Sequence, residues 1–130
     1  MVVVALLIVE FLLGMWVSLY ASLPVGTKLT LSQQPDFSGK LEVGIHLIAG
    51  VLLGIVSMVV LIFSALLKKL IPSILGVAGL IAIIVAGFAG LAFATGGYSN
   101  NGQSYTMAIA FLVAILVYIN YSGTHLSGST

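Results

Sequence analysis

The chain has 130 residues, of which 61% are apolar and only 5% charged, and its formal net charge is +1. A soluble domain carries roughly a quarter charged residues, so a chain this poor in charge takes lipid as its solvent. The basic residues are four lysines (Lys28, Lys40, Lys68 and Lys69), and there is no cysteine. That composition leaves no arginine voltage-sensor ladder, no bidentate phosphate clamp, no basic stripe for nucleic acid, no thiolate metal site and no disulfide.

Four continuous apolar stretches predict an all-α fold, a polytopic transmembrane four-helix bundle forming a single domain over 1–130. The helices are expected at about 2–23, 42–67, 73–95 and 104–121, with a short polar tail at 122–130. A helix needs about 20 residues to cross a ~30 Å hydrocarbon core, and in lipid each backbone amide must find its partner within the helix. Strands of a barrel would instead show ~10-residue segments of alternating polarity.

The first stretch lacks a basic leader and contains Glu10 inside its apolar run. It therefore reads as a retained helix and not as a secretory signal. Glu10 sits near the middle of that helix, where a charge costs roughly 2.5–3.5 kcal/mol on insertion scales. The carboxyl is then either protonated or bonded to a polar group on another helix or subunit, because no intramembrane Lys or Arg exists to pair with it. Two roles fit: a structural hydrogen-bonding residue, or a proton-relay carboxylate at the centre of a proton or solute pathway. Pro24 ends the stretch and opens the longest loop, which runs to Lys40 and carries Gln33, Gln34, Pro35, Asp36 and Gly39.

The second stretch is long for one crossing, which predicts tilt or an interfacial extension. His46 lies about one turn inside it, and Gly50 and Gly54 follow on the same face at steps of four. A histidine above a glycine groove suits haem b, with the imidazole on iron and bare backbone against the macrocycle. It equally suits a histidine bonded to a neighbouring carbonyl. Lys68 and Lys69 close this helix and predict a cytoplasmic 68–72 turn. Both termini then lie inside and the other two loops outside, in the plasma membrane.

In the third stretch Ala82, Ala86, Gly90 and Ala94 recur every four residues, with Gly76, Gly79 and Gly87 nearby. Helices associate in lipid through such small residues, so this face is expected against Gly50 and Gly54 of the second helix, or at a seam with another subunit or a second copy. After it, Asn101-Gly102 is expected to form a left-handed turn pair. The fourth stretch carries Met107. Tyr20, Tyr98 and Tyr105 are expected in an outer aromatic belt, and Tyr118 and Tyr121 in an inner one. His125 falls in the polar tail, roughly 25 Å from His46 by helical rise, so the two histidines do not share one iron.

A weak internal repeat overlays Glu10-Phe11-Leu12-Leu13-Gly14 on Ala86-Gly87-Phe88-Ala89-Gly90, and His46-Leu47-Ile48-Ala49 on Met107-Ala108-Ile109-Ala110. It sets Gly14 on Gly90 and gives His46 and Met107 similar depth. A His/Met pair is an accepted haem ligation, although a methionine in an apolar helix also serves as core filler. The pattern Glu10-x-x-x-Gly14, then His46-x-x-Ala49, then a Gly-rich third helix resembles one four-helix half of the heme A synthase family. It also looks like small four-helix membrane proteins of bacteria and archaea. The resemblance implies His46 as a haem ligand. The family pairs histidines where this chain offers Met107, and its second half is missing here.

Three functions follow in order of expectation. The first is a non-catalytic subunit of a larger membrane assembly, respiratory in character, held to other membrane subunits or to itself through small-residue faces. The second is a haem b-binding electron-transfer protein using His46 and Met107, with Gly50 and Gly54 as the groove. The third is a proton or solute pathway at Glu10.

Overall fold

The structure, a computed structural model, describes residues 2–20 and 40–126. Among these the chain forms four helices and no strand: α1 (Val2–Tyr20), α2 (Lys40–Leu66), α3 (Leu70–Thr95) and α4 (Asn101–Leu126). All four are long and apolar enough to cross a membrane, and the chain is a multi-pass membrane protein. The expected loop from Pro24 to Gly39 lies outside the described residues.

The connections set the helix ends. At the end of α2 the Lys68 amide donates to the Ala65 carbonyl and the Lys69 amide to the Ser64 carbonyl, with Lys68 at φ 53°. At the end of α3 the Gly97 amide donates to Ala94 and the Tyr98 amide to Phe93, with Gly97 at φ 77°. Both are Schellman closures, which satisfy the last helix carbonyls by turning one residue left-handed. The hydrophobic contact that accompanies such a closure is the edge-on packing of Tyr98 against Phe93, with ring centroids 5.5 Å apart. Burial at this turn raises the pKa of the Tyr98 hydroxyl.

Several boundaries differ from the sequence expectation: α2 spans Lys40–Leu66 and not 42–67, and α3 and α4 both start earlier. α3 starts at Leu70, so Pro72 lies in its first turn and not in the loop; first-turn amides have no helical acceptor, and proline removes no hydrogen bond there. α4 starts at Asn101 because Asn100 caps it, its Oδ1 accepting from the Gly102 amide at 3.0 Å. Asn101 and Gly102 are therefore helical, and the left-handed residues of this connection are Gly97 and Tyr98. α4 also runs on to Leu126, taking His125 into the helix.

The helices close a ring in which α1 touches α2 and α4, and α3 touches α2 and α4, with the α3–α4 contact the most extensive. We name the two ends of the bundle the Tyr98 end and the Lys68 end. Counted from the Tyr98 end, Leu7, Leu53, Ala82 and Ala114 each lie thirteen residues along their helices. All four are buried, so one apolar layer crosses the bundle at ~20 Å from that end.

Beyond this layer Tyr118 is 1% exposed. Its ring lies over Gly79 of α3, with Ser57 of α2 beside it. Nearer the Lys68 end Ser64 of α2 is bonded to Tyr121 of α4. Tyr118 thus belongs to the core and not to an aromatic belt. Tyr98 is also buried, whereas Tyr20 and Tyr105 are exposed as expected. The small-residue face of α3 likewise divides differently from expectation: Gly76 receives Leu61 of α2, but Gly79 and Gly90 receive Tyr118 and Met107 of α4. A Cβ at residue 79 would clash with the edge of the Tyr118 ring. Overpacking of this kind costs about 1–3 kcal/mol, so Gly79→Ala should lower the thermal midpoint in detergent. Gly87→Ala, with open space around it, should raise it by the helix preference of alanine; circular dichroism melts compare the two.

A buried carboxylate–imidazole pair and its cavity

Glu10 and His46 meet between α1 and α2. His46 Nδ1 lies 2.8 Å from Glu10 Oε1, and the carboxyl side chain is 3% exposed against 18% for the imidazole. Two bare acceptors would repel at that distance, so one of the two groups carries a proton: Nδ1–H beside a carboxylate, or a carboxyl beside bare Nδ1. In both cases each polar group relieves the cost of burying the other in an apolar medium.

Two glycines make the approach possible, one on each helix. A Cβ on Gly14 of α1 would stand 3.1 Å from His46 Cε1, and one on Gly50 of α2 would stand 3.1 Å from Glu10 Oε1. The imidazole therefore rests on bare backbone of α1, and the carboxylate on bare backbone of α2. Gly50, expected as part of a groove for a macrocycle, holds the Glu10 carboxylate instead. Gly54 has nothing within 4 Å.

The second half of the repeat adopts the same arrangement. Gly90 of α3 faces Met107 of α4, its Cβ position 3.1 Å from Sδ, as Gly14 of α1 faces His46 of α2. The overlay of Gly14 on Gly90 and His46 on Met107 is thus a relation in space as well as in sequence. Ala86 stands where Glu10 would be, so the second half has no carboxylate.

His46 and Met107 line one cavity of about 70 Å³, together with Glu10, Gly14, Ser18 and Ser104. Glu10 Oε2 has no hydrogen-bond partner among the described residues. Sequence reasoning did not pair Glu10 with His46 and did not single out Ser18 or Ser104. The signal was available in the depths: Glu10 lies ten residues from the end of α1 and His46 six from the start of α2, a separation of about one turn on adjacent antiparallel helices.

The resemblance noted above raises haem b as a ligand. The hydrogen bond from a ring nitrogen to a carboxylate is how metal-bound histidines are oriented, and it would leave Nε2 of His46 for iron. The volume, however, is far below the ~300 Å³ at which small-molecule sites begin, and Glu10 fills the Gly50 notch. A porphyrin does not fit between these helices as they are arranged.

Fold and site together define a multi-pass helical membrane protein with an intramembrane carboxylate–imidazole pair. Comparison with protein-family models, curated proteins and solved structures finds no match.

Removing one partner of a buried polar pair costs about 3–5 kcal/mol because the other is left unpaired, whereas replacing both by apolar groups is often close to neutral. His46→Leu should accordingly be less stable than the Glu10→Leu/His46→Leu double variant. Unfolding of the two in mixed micelles measures the difference.

Proposed function

We propose that this chain is a non-catalytic subunit of a larger membrane assembly, held to its neighbours through small-residue helix faces. Gly54 of α2 and Gly87 of α3 carry the reading. Each lies well inside a membrane-spanning helix with no neighbouring side chain within 4 Å. Glycine costs a helix interior about 1 kcal/mol relative to alanine, and at these two positions no contact within the chain offsets that cost. What bare backbone offers in lipid is close approach of another helix. By contrast Gly14, Gly50, Gly76, Gly79 and Gly90 all receive a side chain of this chain.

The pair of Glu10 and His46 supports the same reading, since their 2.8 Å contact joins α1 to α2. The assembly lies in the plasma membrane, with the Lys68–Lys69 turn and both termini on the cytoplasmic side, by the adjacent lysines of that short turn. Lys28 and Lys40 on the other side are balanced by Asp36 and Glu42. A respiratory complex is the proposed setting.

Crosslinking in intact membranes, followed by a denaturing gel and mass spectrometry, tests the proposal. The wild-type chain should appear in a product well above its own 13.5 kDa. Gly54→Leu or Gly87→Leu should reduce that product several-fold while leaving the monomer folded. A wild-type chain found only at monomer mass, or a product unchanged in both variants, would overturn it.

A further inference from the structure

We propose that the cavity beside Glu10 is a one-sided proton-binding site, filled by water from the Tyr98 end and closed toward the Lys68 end. The inference is independent of the assembly reading, because it uses neither Gly54 nor Gly87.

The polar lining descends in order from the Tyr98 end. Ser18 and Ser104 lie within one turn of the ends of α1 and α4. His46 is six residues into α2, or ~9 Å, and Glu10 is ten residues into α1, or ~15 Å. Exposure falls along the same line: Ser18 is exposed, Ser104 half-buried, His46 partly covered and Glu10 buried. At about 70 Å³ the cavity exceeds several-fold the ~10–15 Å³ that one water molecule requires, and water enters cavities that offer it two or more polar partners. The hydroxyls, the imidazole and the carboxyl provide them.

Glu10 Oε2 is the atom that requires such a neighbour. Oε1 is engaged by His46 Nδ1, whereas Oε2 is buried without a partner among the described residues. A carboxylate oxygen there accepts from water, and a carboxyl hydrogen there donates to it. Proton uptake is a simple exchange: a hydronium in the cavity gives its proton to Oε2, the carboxylate becomes a neutral carboxyl, and one water remains. Through both states His46 stays on Oε1 and holds the carboxyl in place.

The groups facing Glu10 leave the exchange to this pair. α1 packs only against α2 and α4 among the described helices. His46 is the titratable group that α2 brings to the cavity, and α4 brings Ser104, Met107, Ala108 and Phe111, none of which titrates. Ahead of Glu10 stands the apolar layer of Leu7, Leu53, Ala82 and Ala114, and the polar groups resume only at Ser57 and Tyr118 beyond it. A proton that reaches Glu10 must leave by the way it came. The site stores a proton and does not conduct it.

Infrared difference spectroscopy on the protein in lipid nanodiscs tests the chemistry. Across a pH series the wild type should show one carboxyl stretch beyond those of Asp36 and Glu42, protected from bulk lipid yet shifting in D2O within seconds, and Glu10→Gln should lack that band alone. No band differing between the two proteins, or a band that resists D2O for hours, overturns the proposal. So does a band abolished by sodium chloride at fixed pH, which would assign the site to a metal cation.

The absence of cysteine allows a second test that keeps Glu10 and His46 intact. Single substitutions Ser104→Cys and Ala108→Cys should react with a charged thiol reagent at least tenfold faster than Leu53→Cys and Ser57→Cys, when the reagent is added from the Tyr98 end. Equal rates at Ala108→Cys and Leu53→Cys would mean that water does not stop at the apolar layer, or does not reach it, and the one-sided site would fall.

Discussion

A carboxylate buried at lipid depth cannot stand alone, and that constraint organises one half of the bundle. Glu10 meets His46 at 2.8 Å, and the contact requires bare backbone on both helices: Gly14 beneath the imidazole and Gly50 beneath the carboxylate. Four residues on two helices thus form a single device. The lipid supplies no hydrophobic force to bring α1 to α2, whereas two polar groups with no alternative partner in hydrocarbon have good reason to find each other.

The other half is held by different means. α3 and α4 pack through size, with glycine notches receiving large side chains: Tyr118 over Gly79 and Met107 over Gly90. Ser64 bonded to Tyr121 then ties α4 across to α2. Between the two polar regions lies the apolar layer at the same depth on all four helices. The bundle is therefore polar toward each end of its axis and dry in the middle, which separates a site open to one side from the cluster near the other.

The repeat gives this asymmetry a structural context. Gly14 with His46 and Gly90 with Met107 are the same contact in two halves of one chain, but Ala86 stands in the place of Glu10. The shared feature is a small residue on one helix admitting a long side chain from the next. The carboxylate is an addition to one half, and with it comes the titratable character of the cavity.

Membrane residence, the four helices, and the singling out of Glu10 and His46 were legible in the sequence because they follow from local properties: run length, charge content, and the cost of a polar group in hydrocarbon. Helix limits were less legible, since capping by Asn100 and tolerance of Pro72 in a first turn depend on which backbone amides are left over. The tertiary structure alone decided who meets whom. It turned Gly50 of α2 toward α1 rather than α3 and left Gly54 open, drew Tyr118 from a predicted belt into the core, and brought Ser18 and Ser104 to the mouth of the Glu10 cavity. Apolar residues occupy nearly every position around all four helices, so the sequence marks no single buried face, and the orientation of each helix is set only when small residues, notches and polar pairs are matched in three dimensions.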